Sequence, residues 1–138
     1  MKKAIIVTLS FLVFFTFCVK SQNLVTKTKH DVINYMFKKD LGCQPEWGRD
    51  NSGNDYVMFK KSESIYSVYY FNSNDYCIRY VSIHPYSDMN TVIEYLNSVY
   101  TIYKDNKWID YNKDYDYIWW IEREEDFFAV QCKIYQIH

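Results

Sequence analysis

The stretch YDYIWWIEREEDFFAVQCKIYQI, residues 115–137, decides the fold, because it reads as one hairpin whose register sorts its side chains into two sets. With Glu124, Glu125 and Asp126 as the loop, Arg123 pairs with Phe127. Successive strand residues point to opposite faces, so the pairing separates two surfaces. One carries Ile118, Trp120, Phe128, Val130, Cys132 and Ile134 and is expected to be core. The other carries Gln131 and Lys133 and is expected to be wet, together with Tyr115, Tyr117, Trp119 and Tyr135. Neighbouring aromatics with polar residues around them are a candidate binding surface. The ligand-binding candidates are therefore Tyr115, Tyr117, Trp119, Lys133 and Tyr135. Strand propensity alone accounts for the same residue types.

Four further strand-rich runs and two helical patterns lie upstream. Thr28 and Asp31 form an N-terminal helix signal, and Val32, Ile33, Met36, Phe37 and Leu41 follow at helical spacing until Gly42. Residues 44–55 read as a polar loop. Residues 56–61, 64–71 and 76–84 read as strands. Pairing Phe71 with Tyr76 puts Val68, Tyr70, Cys77, Arg79, Val81 and Ile83 on one face. That face is the expected core, with Arg79 as an anomaly needing a partner. After Pro85 a second helix shows Met89, Val92, Ile93, Leu96, Tyr100 and Tyr103 on its apolar side. Strands are expected at 107–111, 115–123 and 127–137.

The order helix, three strands, helix, three strands predicts an α+β fold. The second set of strands begins about 50 residues after the first, which suggests a duplicated α-βββ unit. The expected architecture is a two-layer sandwich, an antiparallel sheet with two helices on one face.

The ends and the composition bound the rest. Lys2 and Lys3 precede an apolar run, 4–19, that is shorter than a membrane-spanning helix. Residues 1–21 are read as a signal peptide, and 22–138 as a single exported α+β domain, periplasmic or secreted. The formal net charge of −1 carries no basic block, which argues against nucleic acid as the partner. Export leaves Cys43, Cys77 and Cys132 in an oxidising compartment, where a disulfide between Cys77 and Cys132 is possible if their strands are neighbours.

Chemical motifs are thin. DYNKDYD, residues 110–116, places Asp110, Asn112, Asp114 and Asp116 at every second position. A calcium loop would need Gly where Tyr115 stands and Glu where Ile121 stands, so no metal is expected. His30, His84 and His138 belong to no metal motif. No catalytic residue is assigned and no cofactor is expected. The carboxylates at residues 122–126 could serve a small secreted hydrolase, and composition reads them equally as a charged turn.

The order of helices and strands resembles that of small exported α+β modules of the PepSY-like and β-lactamase-inhibitor-like kind. The resemblance covers element order alone and carries no site residue. The functional expectation is a small exported, non-enzymatic binding module of the cell envelope or exterior. Its ligand would be an envelope or extracellular protein or a glycan, held by the aromatic sheet face.

Overall fold

Thr28 begins the first helix as its sequence predicts: its Oγ1 accepts the backbone N–H of Asp31 at 3.1 Å. This helix, α1, spans Lys29–Lys39 and buries Val32 and Met36, one turn apart. The computed structural model describes residues 24–39 and 44–138. The expected signal segment, the helix stop at Leu41 and Gly42, and Cys43 lie outside the described residues.

Four strands follow α1: β1 Pro45–Arg49, β2 Asp55–Lys60, β3 Tyr66–Phe71 and β4 Cys77–His84. A single 3-10 turn, Tyr86–Asp88, leads into α2, Met89–Val99. Four more strands complete the chain: β5 Thr101–Lys104, β6 Lys107–Asp110, β7 Tyr115–Arg123 and β8 Phe128–Ile137. They form one eight-stranded antiparallel sheet in the order β1-β2-β3-β4-β8-β7-β6-β5. Among the described residues the fold is thus α+β, with two helices beside a mixed-length antiparallel sheet. No described helix is long and apolar enough to cross a membrane.

Each helix precedes four strands rather than three. Residues 45–49, expected as loop, pair with β2. The turn between them is closed by Asp50, whose Oδ1 accepts the N–H groups of Ser52 and Asn54, both at 2.9 Å. Helix α2 stops earlier than its apolar pattern implies. Tyr100 is already extended at φ −118°, and residues 101–104 form β5. Asn106, at φ 59°, supplies the left-handed turn into β6.

The final hairpin differs from expectation by one residue. Its turn holds four residues, 124–127, closed by Glu124 N–H donating to the Phe127 carbonyl at 2.9 Å. Arg123 therefore faces Phe128, Ile121 faces Val130 and Trp119 faces Cys132. The β8 side chains keep their expected faces, but those of β7 exchange sides. Trp119 goes into the core at 2 % exposure, and Trp120 comes out. The slip sorts the residues better: it matches Trp119 with Cys132 and Ile121 with Val130, and sets Trp120 against Gln131.

The middle hairpin is inverted as well. Tyr69, Phe71, Cys77 and Tyr80 join the main core, and Val68, Tyr70, Arg79 and Val81 face the other way. A bulge opposite Tyr70 and Phe71 absorbs Ile78 and returns Cys77 to the core side.

The main core joins Val32 and Met36 of α1 and Met89 and Leu96 of α2 to Phe59, Tyr69, Trp108, Trp119 and Phe128 of the sheet. Trp119 is stacked on Tyr100, 5.2 Å between centroids at 14°, and meets Tyr80 edge-on at 6.1 Å. Outside the core, Lys29 ties α1 to two hairpin tips, with Nζ 2.8 Å from Asp75 and 3.5 Å from Asp55.

The Cys77–Cys132 disulfide does not form: both thiols are free and buried. Cys132 sits opposite Tyr80, three positions along β4 from Cys77. That offset is roughly 10 Å along a strand, beyond the reach of a bridge. Burial pushes the Cys77 thiol up to about 12 and the Cys132 thiol well above its ordinary value.

Two measurements test this arrangement. Trp119→Ala should cost about 3–5 kcal/mol in a denaturant titration, as large core aromatics do, and Trp120→Ala only about 1 kcal/mol or less. The expected register predicts the reverse order. In a Cys18→Ser/Cys43→Ser variant, Cys77 and Cys132 should resist an alkylating reagent at pH 8 in the native protein. Both should react once the chain is unfolded in denaturant.

Candidate functional site

A second, smaller cluster occupies the other side of the sheet. Val68, Val81 and Ala129 form its floor, with Tyr56, Met58, Tyr70 and Ile83 half-buried around them. Among the described residues, none from a helix belongs to it. Its origin is the strict alternation of β2, β3, β4 and β8: each sends one set of side chains to the helices and the other outward.

One row of this outer face can be followed across seven of the strands, from β1 to β6. Gly48 pairs with Tyr56, Tyr56 with Tyr70, Tyr70 with Arg79, and Arg79 with Lys133. Lys133 pairs in turn with Ile118, and Ile118 with Ile109. The two cations stand at the middle of the row, where β4 meets β8. Arg79 lies over the Tyr70 ring with its guanidinium carbon 4.1 Å from the centroid. Lys133 lies over Trp120 at 5.5 Å. Tyr56 and Tyr70 are tilted against each other at 5.6 Å. Gly48 is required by this packing, since a Cβ there would overlap the Tyr56 phenol. Asp50, Ser52, Asn54, Tyr70, Ile78, Arg79 and Lys133 border a depression of about 220 Å³.

The structure separates the five residues expected to bind. Trp119 is in the core. Tyr117 packs against that core, and burial raises its hydroxyl above the ordinary value. Tyr115 lies 6.3 Å from it. Tyr135 is exposed and pairs with Tyr103 at 6.1 Å. Of the five, only Lys133 takes part in the outer row. Trp120 and Arg79 stand on the outer face although the register expected from sequence places both in the interior. The Arg79 anomaly was the signal: a cation without a buried partner belongs on an outer face.

The acidic stretch at 110–116 closes the end of the sheet. Asp116 is buried, and its Oδ1 accepts the Asn112 N–H at 3.3 Å and meets His138 Nε2 at 2.9 Å. Asp110 has its carboxyl raised by burial. Among the described residues no group of three or more His, Cys, Asp or Glu side chains is arranged to hold a metal. The carboxylates of Glu122, Glu124, Glu125 and Asp126 are all exposed around the β7–β8 turn.

Ser82, His84 and Asp88 superficially follow the order of a catalytic triad. Ser82 Oγ is 2.6 Å from His84 Nε2, and His84 Nδ1 is 3.7 Å from Asp88 Oδ2. The second separation exceeds a hydrogen bond, and among the described residues Nδ1 has no hydrogen-bond partner. Ser82 is buried on the helix side, and the imidazole is stacked on Phe128 at 5.3 Å. A serine without access to substrate is not a nucleophile, so this trio is packing.

Comparison with protein-family models, with curated proteins and with solved structures gives no significant match.

His84 makes stability depend on pH. Burial lowers its basicity, and Asp88 offsets this only in part. The unfolded chain therefore takes up a proton near the ordinary value of about 6.5, where the folded chain resists it. Stability should fall as pH drops below that value, and His84→Gln should remove part of the fall. Denaturant midpoints between pH 7 and 5 measure it.

Proposed function

We propose that this chain is an exported, non-enzymatic binding module that presents an aromatic face of its sheet to a protein or a glycan. The carrying observation is the outer face. Tyr56, Tyr70 and Trp120 stand there beside Arg79 and Lys133, outside the cluster that joins the helices to the sheet. Tyr, Trp and Arg are the residues enriched at the energetic centres of protein interfaces, and aromatic faces stack equally well on sugar rings. The reading keeps the aromatic sheet face and Lys133. It moves the remaining binding residues to the side that the β7 register turns outward.

Export and an envelope or exterior location rest on the sequence of residues 1–21, a basic start and a short apolar run. The architecture is read as two like units, each a helix followed by a four-stranded meander, packed as two layers. Element order supports this, because the last strand of each meander meets the other at β4–β8.

The test is retention. The purified protein is immobilised and offered an envelope extract of the producing cells and an array of glycans, beside Tyr70→Ser/Trp120→Ala as control. A protein or glycan held by the wild type and released by the variant, with the variant still folded, is the expected result. Equal retention by both, or retention of nothing, overturns the reading.

A further inference from the structure

We infer that the partner is a protein, and that Arg79 and Lys133 together receive a carboxylate from an acidic segment of it. The inference rests on the binding-module reading and names what the outer face recognises. Arg79 and Lys133 are directly opposite each other on adjacent central strands. Like charges in that relation repel and weaken a sheet. Among the described residues neither belongs to an ion pair. Each is instead held against an aromatic ring, Arg79 on Tyr70 and Lys133 on Trp120.

A guanidinium held against a ring in this way can still offer its N–H groups to a carboxylate in a two-pronged bond. Lys133 adds a second donor from the neighbouring strand, whose backbone runs about 5 Å away, and both residues border the same depression. Asp50 borders the same depression, but its Oδ1 already accepts the N–H groups of Ser52 and Asn54. Glu122, two positions along β7 from Trp120, is engaged as well, its Oε1 accepting the Trp120 indole N–H at 3.1 Å. Among the described residues neither carboxylate forms an ion pair with Arg79 or Lys133, so the two cations keep their donors for an incoming acidic group.

The flanks of the pair select the kind of acid. In the same row Tyr70 adjoins Arg79 on one side, and Ile118 adjoins Lys133 on the other. A uronic acid or sulfated sugar would satisfy the cations and leave the isoleucine side without an apolar partner. A protein segment bearing Asp or Glu between apolar side chains satisfies all four residues. It would cross the strands, spanning about 14 Å from Tyr70 to Ile118 at three strand spacings.

A displayed library of random twelve-residue peptides separates the possibilities. It is panned over wild type, over Arg79→Gln/Lys133→Gln and over Tyr70→Ser/Trp120→Ala, with denaturant midpoints confirming that both variants fold. The expected wild-type selection is rich in Asp or Glu flanked by apolar residues. Synthetic copies of the selected peptides should bind Arg79→Gln/Lys133→Gln at least tenfold more weakly, and should bind wild type more weakly as salt is raised. Peptides without acids that bind wild type and Arg79→Gln/Lys133→Gln alike, yet fail on Tyr70→Ser/Trp120→Ala, overturn the carboxylate site and leave the binding face standing. Peptides that bind all three proteins alike overturn both. Selection of no peptide overturns the protein partner, and retention of a polyuronate by wild type in a parallel arm then identifies a glycan face.

Discussion

A strand cannot choose the side of each residue independently: once one side chain is placed, alternation places the others up to the next bulge. In this molecule the choice for β7 is made by the four-residue turn at 124–127. One residue fewer in that turn would put Trp120 under the helices and Trp119 outside. With the turn as it stands, Trp119 meets Cys132, Tyr80 and Tyr100 in the core. Lys133 and Ile118 are then set side by side on the outer face. The large core and the outer row are therefore two results of a single local constraint.

The class of the fold was legible in the sequence. Apolar spacing located both helices, and Thr28 announced the start of the first. Six of the eight strands stood out through their tyrosines, valines and isoleucines. The missed strands are the two outermost, β1 and β5, whose residues Pro45–Arg49 and Thr101–Lys104 carry little alternating pattern. Edge strands bury less, so they leave a fainter mark. The end of α2 was obscured because Tyr100 continues the helical apolar spacing and packs against the core from an extended backbone.

The candidate site was legible only as a composition. That aromatic residues would gather on a sheet face followed from their number. Which of them would do so depended on the turn length at 124–127 and on the bulge beside Phe71. Neither has a strong sequence signature. Arg79 was visible as a contradiction, and its resolution required the opposite face. One of the alternating acids at 110–116 also had a purpose that spacing alone could not reveal: the Asp116 carboxylate meets His138 Nε2 at the end of β8, where the Asp114 backbone carbonyl accepts the His138 N–H.

The seam between β4 and β8 has a kinetic consequence. Every other strand pairing joins neighbours in the chain, whereas Arg79 meets Lys133, and His84 meets Phe128, across the whole of α2 and three intervening strands. Local hairpins can close quickly, but this pairing bears the entropy of a long loop. Each meander can thus assemble early and wait for the other. While it waits, β4 and β8 present unpaired backbone groups beside apolar side chains, in strands of eight and ten residues. The edges of the finished sheet are short. The most adhesive edges of this protein exist only while it folds, and the seam that joins its halves is also what withdraws them from solution.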